Sequence, residues 1–395
     1  MIREPIALLT FMFLVVACAR LVEARVRFVQ RITSAVLCTL LGIMLSNLGV
    51  IPHTSTIHEA VYEFAVPYTI VLVVLSSRLS DLKRAGPSLV IAFLVASVGS
   101  LAGGVIAGHF FTPWVGPETW KVSGMFVAAF VGGGMNFAAV GRGLDCSPGV
   151  FAAAAMADNL TTVPWMLTLM FLSGALVPWF RGRAVAVSAL KAIVPSRGAA
   201  EMPAHSPAPA RQEPDPRLAW GSTSVDVTDL ALLAGLPLAV LWAAKQLTPL
   251  IPGFPSVLWV TTIALVIAQV PAVHRLRGAA AMSYFSLHLF FIVIGASSIL
   301  REVIVAGPAI VVFMVAILAI HLVIIFGGGW LLRINLPKIA VGSMASVGGP
   351  GSTLALAMAM KWNDLVTPGV IMGIFGWAVG NYFGFACAYL VRLWQ

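Results

Sequence analysis

Asp158 stands in the middle of an apolar run, followed by Asn159, Thr161 and Thr162. A carboxylate at such a depth costs about 2.5–3.5 kcal/mol on insertion scales, so it needs a proton, a cation or a polar partner. It can load and release a proton, or ligate Na+ together with oxygens such as those of Asn159 and Thr161. The plainer alternative is a protonated acid hydrogen-bonded to a neighbouring helix. No other acid lies deep inside an apolar run.

A second feature comes twice. Gly132-Gly133-Gly134-Met135-Asn136 interrupts one hydrophobic segment, and Gly348-Gly349-Pro350-Gly351-Ser352-Thr353 interrupts another. Glycine and proline release backbone N–H and C=O groups from the helix ladder. In hydrocarbon each such group costs several kcal/mol unless something pairs with it. A solute anion, a cation or water in a cavity would be such a partner. The candidate solute ligands are therefore Gly133, Gly134 and Asn136 at the first break, and Gly349, Gly351, Ser352 and Thr353 at the second. Asn381, in the closing apolar run, joins them; Asp158, Asn159 and Thr161 form the ion-coupling group. Close helix packing by small residues is the competing explanation, and it is the one given to Gly327-Gly328-Gly329. Lys121 and Lys338 precede the two breaks at matching places, either as site charges or as interfacial snorkels. His288 and His321 fall within apolar runs, where a histidine is either a packed residue or a proton relay.

The elements that must position these residues are apolar helices. Of 395 residues 59% are hydrophobic and only 10% charged, against about a quarter charged in a soluble domain. Lipid is thus the solvent for most of the chain. The surplus of 24 Lys and Arg over 15 Asp and Glu fits the basic loops of a polytopic protein. Without an aromatic-interleaved basic stripe it does not indicate nucleic acid. Cys18, Cys38, Cys146 and Cys387 are scattered and suggest neither a metal site nor a disulfide framework. No metal-ligand pair, nucleophile elbow or phosphate loop supports an enzyme, and no cofactor is expected beyond Na+ or H+ as coupling ion.

Runs long enough, or nearly so, for a bilayer core of about 30 Å are Ile6–Val22, Ile32–Val50, Val61–Leu79, Ser88–Phe111, the broken Val122–Leu144 and Val150–Phe180. Arg20 and Arg25, and the want of a cleavage site, mark the first as an uncleaved span rather than a signal peptide. A Pro-, Ala- and charge-rich linker, 181–226, is expected to be flexible. Beyond it come Leu230–Ala244, Val257–Val270, Met282–Leu300, Ala309–Leu332, the broken Ile339–Met360 and Gly369–Val391. These runs are too long and too even for barrel strands.

The halves repeat. Ser76-Ser77 and Ala85-Gly86-Pro87 return as Ser297-Ser298 and Ala306-Gly307-Pro308, both displaced by the same number of residues. Val131-Gly132-Gly133 returns as Val347-Gly348-Gly349, and Ser147-Pro148-Gly149-Val150 as Thr367-Pro368-Gly369-Val370. The expected architecture is an all-α polytopic membrane protein with two inverted five-helix repeats, discontinuous crossed helices and extra flanking helices. The first half is 1–180 (extra helix 6–22, repeat 32–180) and the second 227–395 (extra element 230–244, repeat 257–391).

Loop charges support inversion. Arg78, Lys83 and Arg84, with Arg142, mark one set of loops in the first copy; in the second the bias reverses, with Arg275, Arg277, Arg333 and Lys338. An element count that lets every run cross leaves both copies the same way up. One element must then fall short, with Leu230–Ala244 and its Pro237 the suspect, or a segment near Ala184–Val194 is hidden.

The stretch Trp120-Lys121-Val122-Ser123-Gly124-Met125-Phe126, continuing through Gly132-Gly133-Gly134-Met135-Asn136-Phe137 to Ala157-Asp158-Asn159, resembles the YjcL-like integral membrane proteins, a family of unknown function. So do Trp362-Asn363-Asp364-Leu365-Val366-Thr367-Pro368-Gly369 and Gly380-Asn381-Tyr382-Phe383-Gly384. That family is similar to the cation:proton antiporter and anion transporter superfamily. The resemblance implies two broken helices crossing beside a core helix, an acid at the place of Asp158, and an elevator-like movement of a core against a scaffold. Asn159 stands where a second acid is found in some antiporters.

Together these readings lead to a secondary active transporter of a small solute, an organic anion, coupled to H+ or Na+ through Asp158. The alternatives are a cation:proton antiporter using Asp158, and a non-transporting membrane protein that kept the fold. The expected partners are the solute and the lipid bilayer, with a homodimer as the assembly considered. The expected location is a bacterial inner (plasma) membrane.

Overall fold

A computed structural model describes residues 2–180, 225–251 and 254–395. Among them all regular structure is helical. The first half runs α1 (Pro5–Arg25), α2 (Arg27–Asn47), α3 (Thr56–Val74), α4 (Pro87–Val115), α5 (Thr119–Gly132), α6 (Gly134–Gly143) and α7 (Pro148–Ala175). The second half has the same order: α8 (Val227–Leu247), α9 (Ser256–Ile267), α10 (Ala279–Ser297), α11 (Leu300–Leu331), α12 (Leu336–Val347), α13 (Gly349–Ala359) and α14 (Val366–Arg392). Helices keep every backbone polar group paired within the segment, which lipid demands. Pro87 and Pro148 open α4 and α7, where a missing N–H costs nothing. Among the described residues 7 helices are long and apolar enough to cross a membrane. The chain is an all-α, multi-pass membrane protein.

Two expectations change. Leu230–Ala244 does not fall short: Val227–Leu247 is a 21-residue helix that carries Pro237 within it. Asp226 is the N-cap of that helix, its carboxylate accepting from the Val227 N–H. Residues 181–224 of the expected linker, and with them Ala184–Val194, lie outside the described residues.

The larger correction concerns the glycine breaks. The broken runs do not continue across; each folds back on itself as a hairpin of two short helices. In the first, residues on opposite sides of Gly133 lie side by side. The rings of Phe126 on α5 and Phe137 on α6 are 6.0 Å apart, and Lys121 Nζ donates to the Asp145 carbonyl at 2.8 Å. Glu118, just before α5, accepts from the Ser147 N–H just before α7 at 3.2 Å. In the second, Gly369 lies against both Val341 on α12 and Thr353 on α13. A glycine in a hydrophobic run shows where a helix stops, not the direction of the next.

One long helix carries both tips. Along α14, Gly369 and Gly373 meet the second hairpin, the latter at the Gly349–Pro350 bond. Gly376 and Gly380 meet the first hairpin at Val131 and Gly132, and Gly384 lies lower on it, between Ala128 and Val140. The hairpins therefore approach from opposite ends of α14 and meet tip to tip near its middle. Leu89 and Phe93 of α4, Val127 and Val131 of α5, Val341 and Ala345 of α12 and Met372 of α14 form the buried cluster that binds them together.

The same contacts sort the loops onto two faces. Leu79 N–H donates to Gln269 Oε1 at 3.2 Å, joining the α3–α4 and α9–α10 connections. Arg78, Lys83, Arg84, His274, Arg275 and Arg277 all belong to that face. Burial and the Arg78 guanidinium hold the His274 imidazole below its usual value. On the other face Asn47 Nδ2 donates to the Ser298 carbonyl at 3.1 Å, and Ser298 Oγ to the Pro148 carbonyl at 2.9 Å. The base of the first hairpin belongs there too. Arg142 thus lies opposite the basic loops with which the sequence grouped it.

Helices at matching places in the two halves pack antiparallel. On α4 and α11, Val95 lies against Gly328, Gly99 against Ile324 and Gly103 against Ile317. Ser100 and His321, 221 residues apart, are hydrogen-bonded at 2.9 Å. Ser286 and Ala65, also 221 apart, are joined at 3.0 Å between α10 and α3.

Candidate functional site

The site is the space around the two tips. Gly133 and Gly349 turn the chain with φ of 83° and 70°, in the left-handed region where a side chain costs roughly 1–2 kcal/mol. Each turn starts a short helix, α6 or α13, whose first N–H groups have no partner in their own helix. Two positive helix ends therefore face the same region. Gly134 and Gly351 are exposed there, with nothing within 4 Å of where a Cβ would stand.

Trp377 on α14 stands between the tips. A Cβ on Gly133 would lie 3.8 Å from its Nε1, and one on Gly349 3.9 Å from the same atom. This indole is half-buried, and its N–H has no protein acceptor among the described residues. Ser352, half-buried beside the second turn, likewise makes no side-chain hydrogen bond among them.

Asp158 arrives from α7. It lies on the helix face of Phe151, Ala154, Thr161 and Trp165, all of them buried, yet it is itself only half-buried. Phe151 packs on the first hairpin, its ring 5.2 Å from that of Phe137. Trp165 Nε1 donates to Ser343 Oγ of the second hairpin at 3.3 Å. Asp158 is two turns, about 10.5 Å, from each, which sets it level with the tips. It forms no hydrogen bond or ion pair among the described residues.

Other expected ligands are committed elsewhere. Asn136 Nδ2 donates to the Trp377 carbonyl and to Asn381 Oδ1, both at 3.0 Å, and Asn381 Nδ2 donates to Thr261 Oγ1 at 2.8 Å. That buried clasp ties the first hairpin to α14 and α9. Thr353 Oγ1 donates to the Gly349 carbonyl at 2.7 Å. Thr161 Oγ1 meets Met314 Sδ at 2.8 Å, and Asn159 Nδ2 donates to the Ala155 carbonyl at 2.8 Å. Lys121 pairs with Glu118 at 2.6 Å at the hairpin base, away from the tips.

The sequence reading also passed over some groups. Trp377 is one of four aromatic residues, with Phe375, Tyr382 and Phe383, in the run whose Gly369, Gly373, Gly376, Gly380 and Gly384 are spaced to line one side of a helix. Glu23 is a buried acid, 5% exposed, paired with Arg20 at 2.5 Å and accepting from the Ser34 N–H at 3.1 Å. It escaped notice because it follows its apolar run instead of interrupting it. Among the described residues no group of three or more His, Cys, Asp and Glu side chains is placed to hold a metal ion.

Comparison with known proteins gives two matches. The family model described as "Protein of unknown function (DUF819)" matches residues 10–393. The uncharacterized membrane protein YjcL of Bacillus subtilis (strain 168) is 27% identical over 381 residues, which are 92% of this chain and 90% of that protein.

Proposed function

The chain belongs to the DUF819 family, and from its hairpin geometry we propose that it is a secondary active transporter of a small organic anion, driven by H+ or Na+ through Asp158. The observation that carries the reading is the tip-to-tip meeting of two hairpins from opposite ends of α14, with an unpaired carboxylate at the same level. The donors available around the tips are the first amides of α6 and α13, Ser352 and the Trp377 indole, beside the last carbonyls of α5 and α12. These donors can hold an anion. Asp158 is its acidic counterpart, suited to a proton or Na+ that loads and leaves with the solute. No chemical conversion is proposed.

The antiparallel packing of α4 on α11 supports two inverted copies, each with a hairpin reaching the bilayer centre from its own side. Hairpins that turn back also remove the conflict in the element count. With neither broken run crossing, four described helices lie between matching ones, as α7, α8, α9 and α10 do between α4 and α11, so full-length Val227–Leu247 and inverted copies agree. Under the positive-inside rule the face of Arg78, Lys83, Arg84, Arg275 and Arg277 is cytoplasmic. The second hairpin then enters from the cytoplasm and the first from outside. A bacterial inner membrane is the proposed location.

A cation:proton antiporter is the second reading, favoured by the absence of any protein partner for Asp158 among the described residues. Purified protein in liposomes, given pooled small carboxylates under an imposed proton or sodium gradient, separates the two. Accumulation that Asp158→Asn abolishes supports symport. Release of protons from the vesicles on adding Na+ or K+ without solute supports antiport. No movement of any pool or cation under either gradient overturns both.

A further inference from the structure

A chain of hydrogen bonds joins five helices just beside the tips, and its two ends fix its direction. Trp165 Nε1 on α7 donates to Ser343 Oγ on α12 at 3.3 Å. Ser343 Oγ lies 2.9 Å from His321 Nε2 on α11. His321 Nδ1 lies 2.9 Å from Ser100 Oγ on α4, which donates to the Phe130 carbonyl on α5 at 3.2 Å. An indole N–H can only donate, and a peptide carbonyl can only accept. Ser100 has a single hydroxyl proton and gives it to the Phe130 carbonyl, so the Ser100–His321 link needs its proton on Nδ1. In the neutral ring Nε2 is then the acceptor and takes the Ser343 hydroxyl proton, while Ser343 accepts from the indole. Of the two neutral tautomers, only the Nδ1–H form gives every link one donor and one acceptor.

The links are dry. Ser100, His321 and Ser343 are each 0% exposed, Phe130 1% and Trp165 4%. The acceptor at the end is a carbonyl that the break at Gly133 deprives of its helical partner. Ser346 on α12 donates to the same carbonyl, so both of its lone pairs are satisfied. The chain therefore links the first hairpin, the second hairpin and the helix bearing Asp158.

We propose that His321 is a positioning residue whose Nδ1–H tautomer, held in this one-way chain, sets α7 and both hairpins in register at the site. The proposal concerns the transport site described above but is independent of what occupies it, so the two can fail separately. The first test is nuclear magnetic resonance of the full chain in nanodiscs with 15N-labelled histidine, the His321 signal being assigned by its loss in His321→Gln. At pH 7 the proton is expected on Nδ1; a proton on Nε2, or on both nitrogens, overturns the proposal. The second test is amide hydrogen exchange at 133–136 and 348–353. His321→Ala is expected to speed exchange at both tips about tenfold, the scale of one lost buried hydrogen bond. His321→Gln, which keeps one donor and one acceptor, is expected to stay near the parent. If His321→Ala does not purify folded, Ser343→Ala carries the same expectation. Unchanged exchange at either tip in the alanine variant overturns the proposal, as does equal acceleration by alanine and glutamine.

Discussion

A carboxylate on the inward face of a helix, with buried neighbours above and below and no partner among the described residues, is poised for a ligand that comes and goes. Asp158→Asn is expected to leave the melting temperature close to the parent's and to abolish gradient-driven uptake; uptake equal to the parent's would refute its role. Trp377→Phe keeps an aromatic ring, though a smaller one, and removes the donor. It is expected to weaken solute binding about tenfold, the worth of roughly one hydrogen bond, read as loss of solute-induced thermal stabilisation. Thr353→Val, whose parent hydroxyl is bonded within its own helix, should bind as the parent does. The chemistry of such residues was legible in the sequence, but their availability was not. Asn136, Asn381 and Thr353 have the right atoms, and each uses them to join helices or close a turn. Nothing in a sequence says which donors are already engaged.

At the scale of elements the hairpins make glycine positions unequal. A methyl group at Gly376 would strike the Val131 carbonyl, whereas one at Gly351 meets nothing within 4 Å. Gly376→Ala should therefore lower the melting temperature clearly. Gly351→Ala should not, since alanine gains up to about 1 kcal/mol over glycine inside a helix, yet it should impair solute binding by filling the space at the tip. The hairpin base carries a pH dependence of its own. Burial raises the Glu118 carboxyl, but hydrogen bonds from Lys121 and Ser147 outweigh it and hold the group below its usual 4.5. A depressed carboxylate contributes stability above its unfolded value and loses it as pH falls through the folded one. Thermal melts below about pH 4.5 should thus separate the parent from Glu118→Gln less than melts at pH 7. The breaks themselves could be read from Gly133 and Gly349. The reversal could not, because it is fixed by tertiary contacts such as Lys121 to Asp145 between residues that sequence alone leaves unrelated.

For the whole molecule, neither loop charge nor counting was a sufficient guide. Arg78, Lys83, Arg84, Arg275 and Arg277 come from different halves and share one face, while Arg142, grouped with the first three from the sequence, lies on the other. The count failed because it assumed that an apolar run of spanning length must span. In a cysteine-free background, Lys83→Cys and Arg277→Cys should resist a membrane-impermeant maleimide in intact cells, while Asp145→Cys reacts; labelling of all three, or the reverse pattern, would refute the orientation. The basic face also receives both ends of the stretch between the halves, since α7 runs toward the base of the second hairpin and Val225 lies against Gly278 of the α9–α10 loop. No described crossing is interrupted if the polypeptide is severed there. Two separately translated fragments, 1–180 and 225–395, should accordingly find one another in the bilayer and rebuild a working protein.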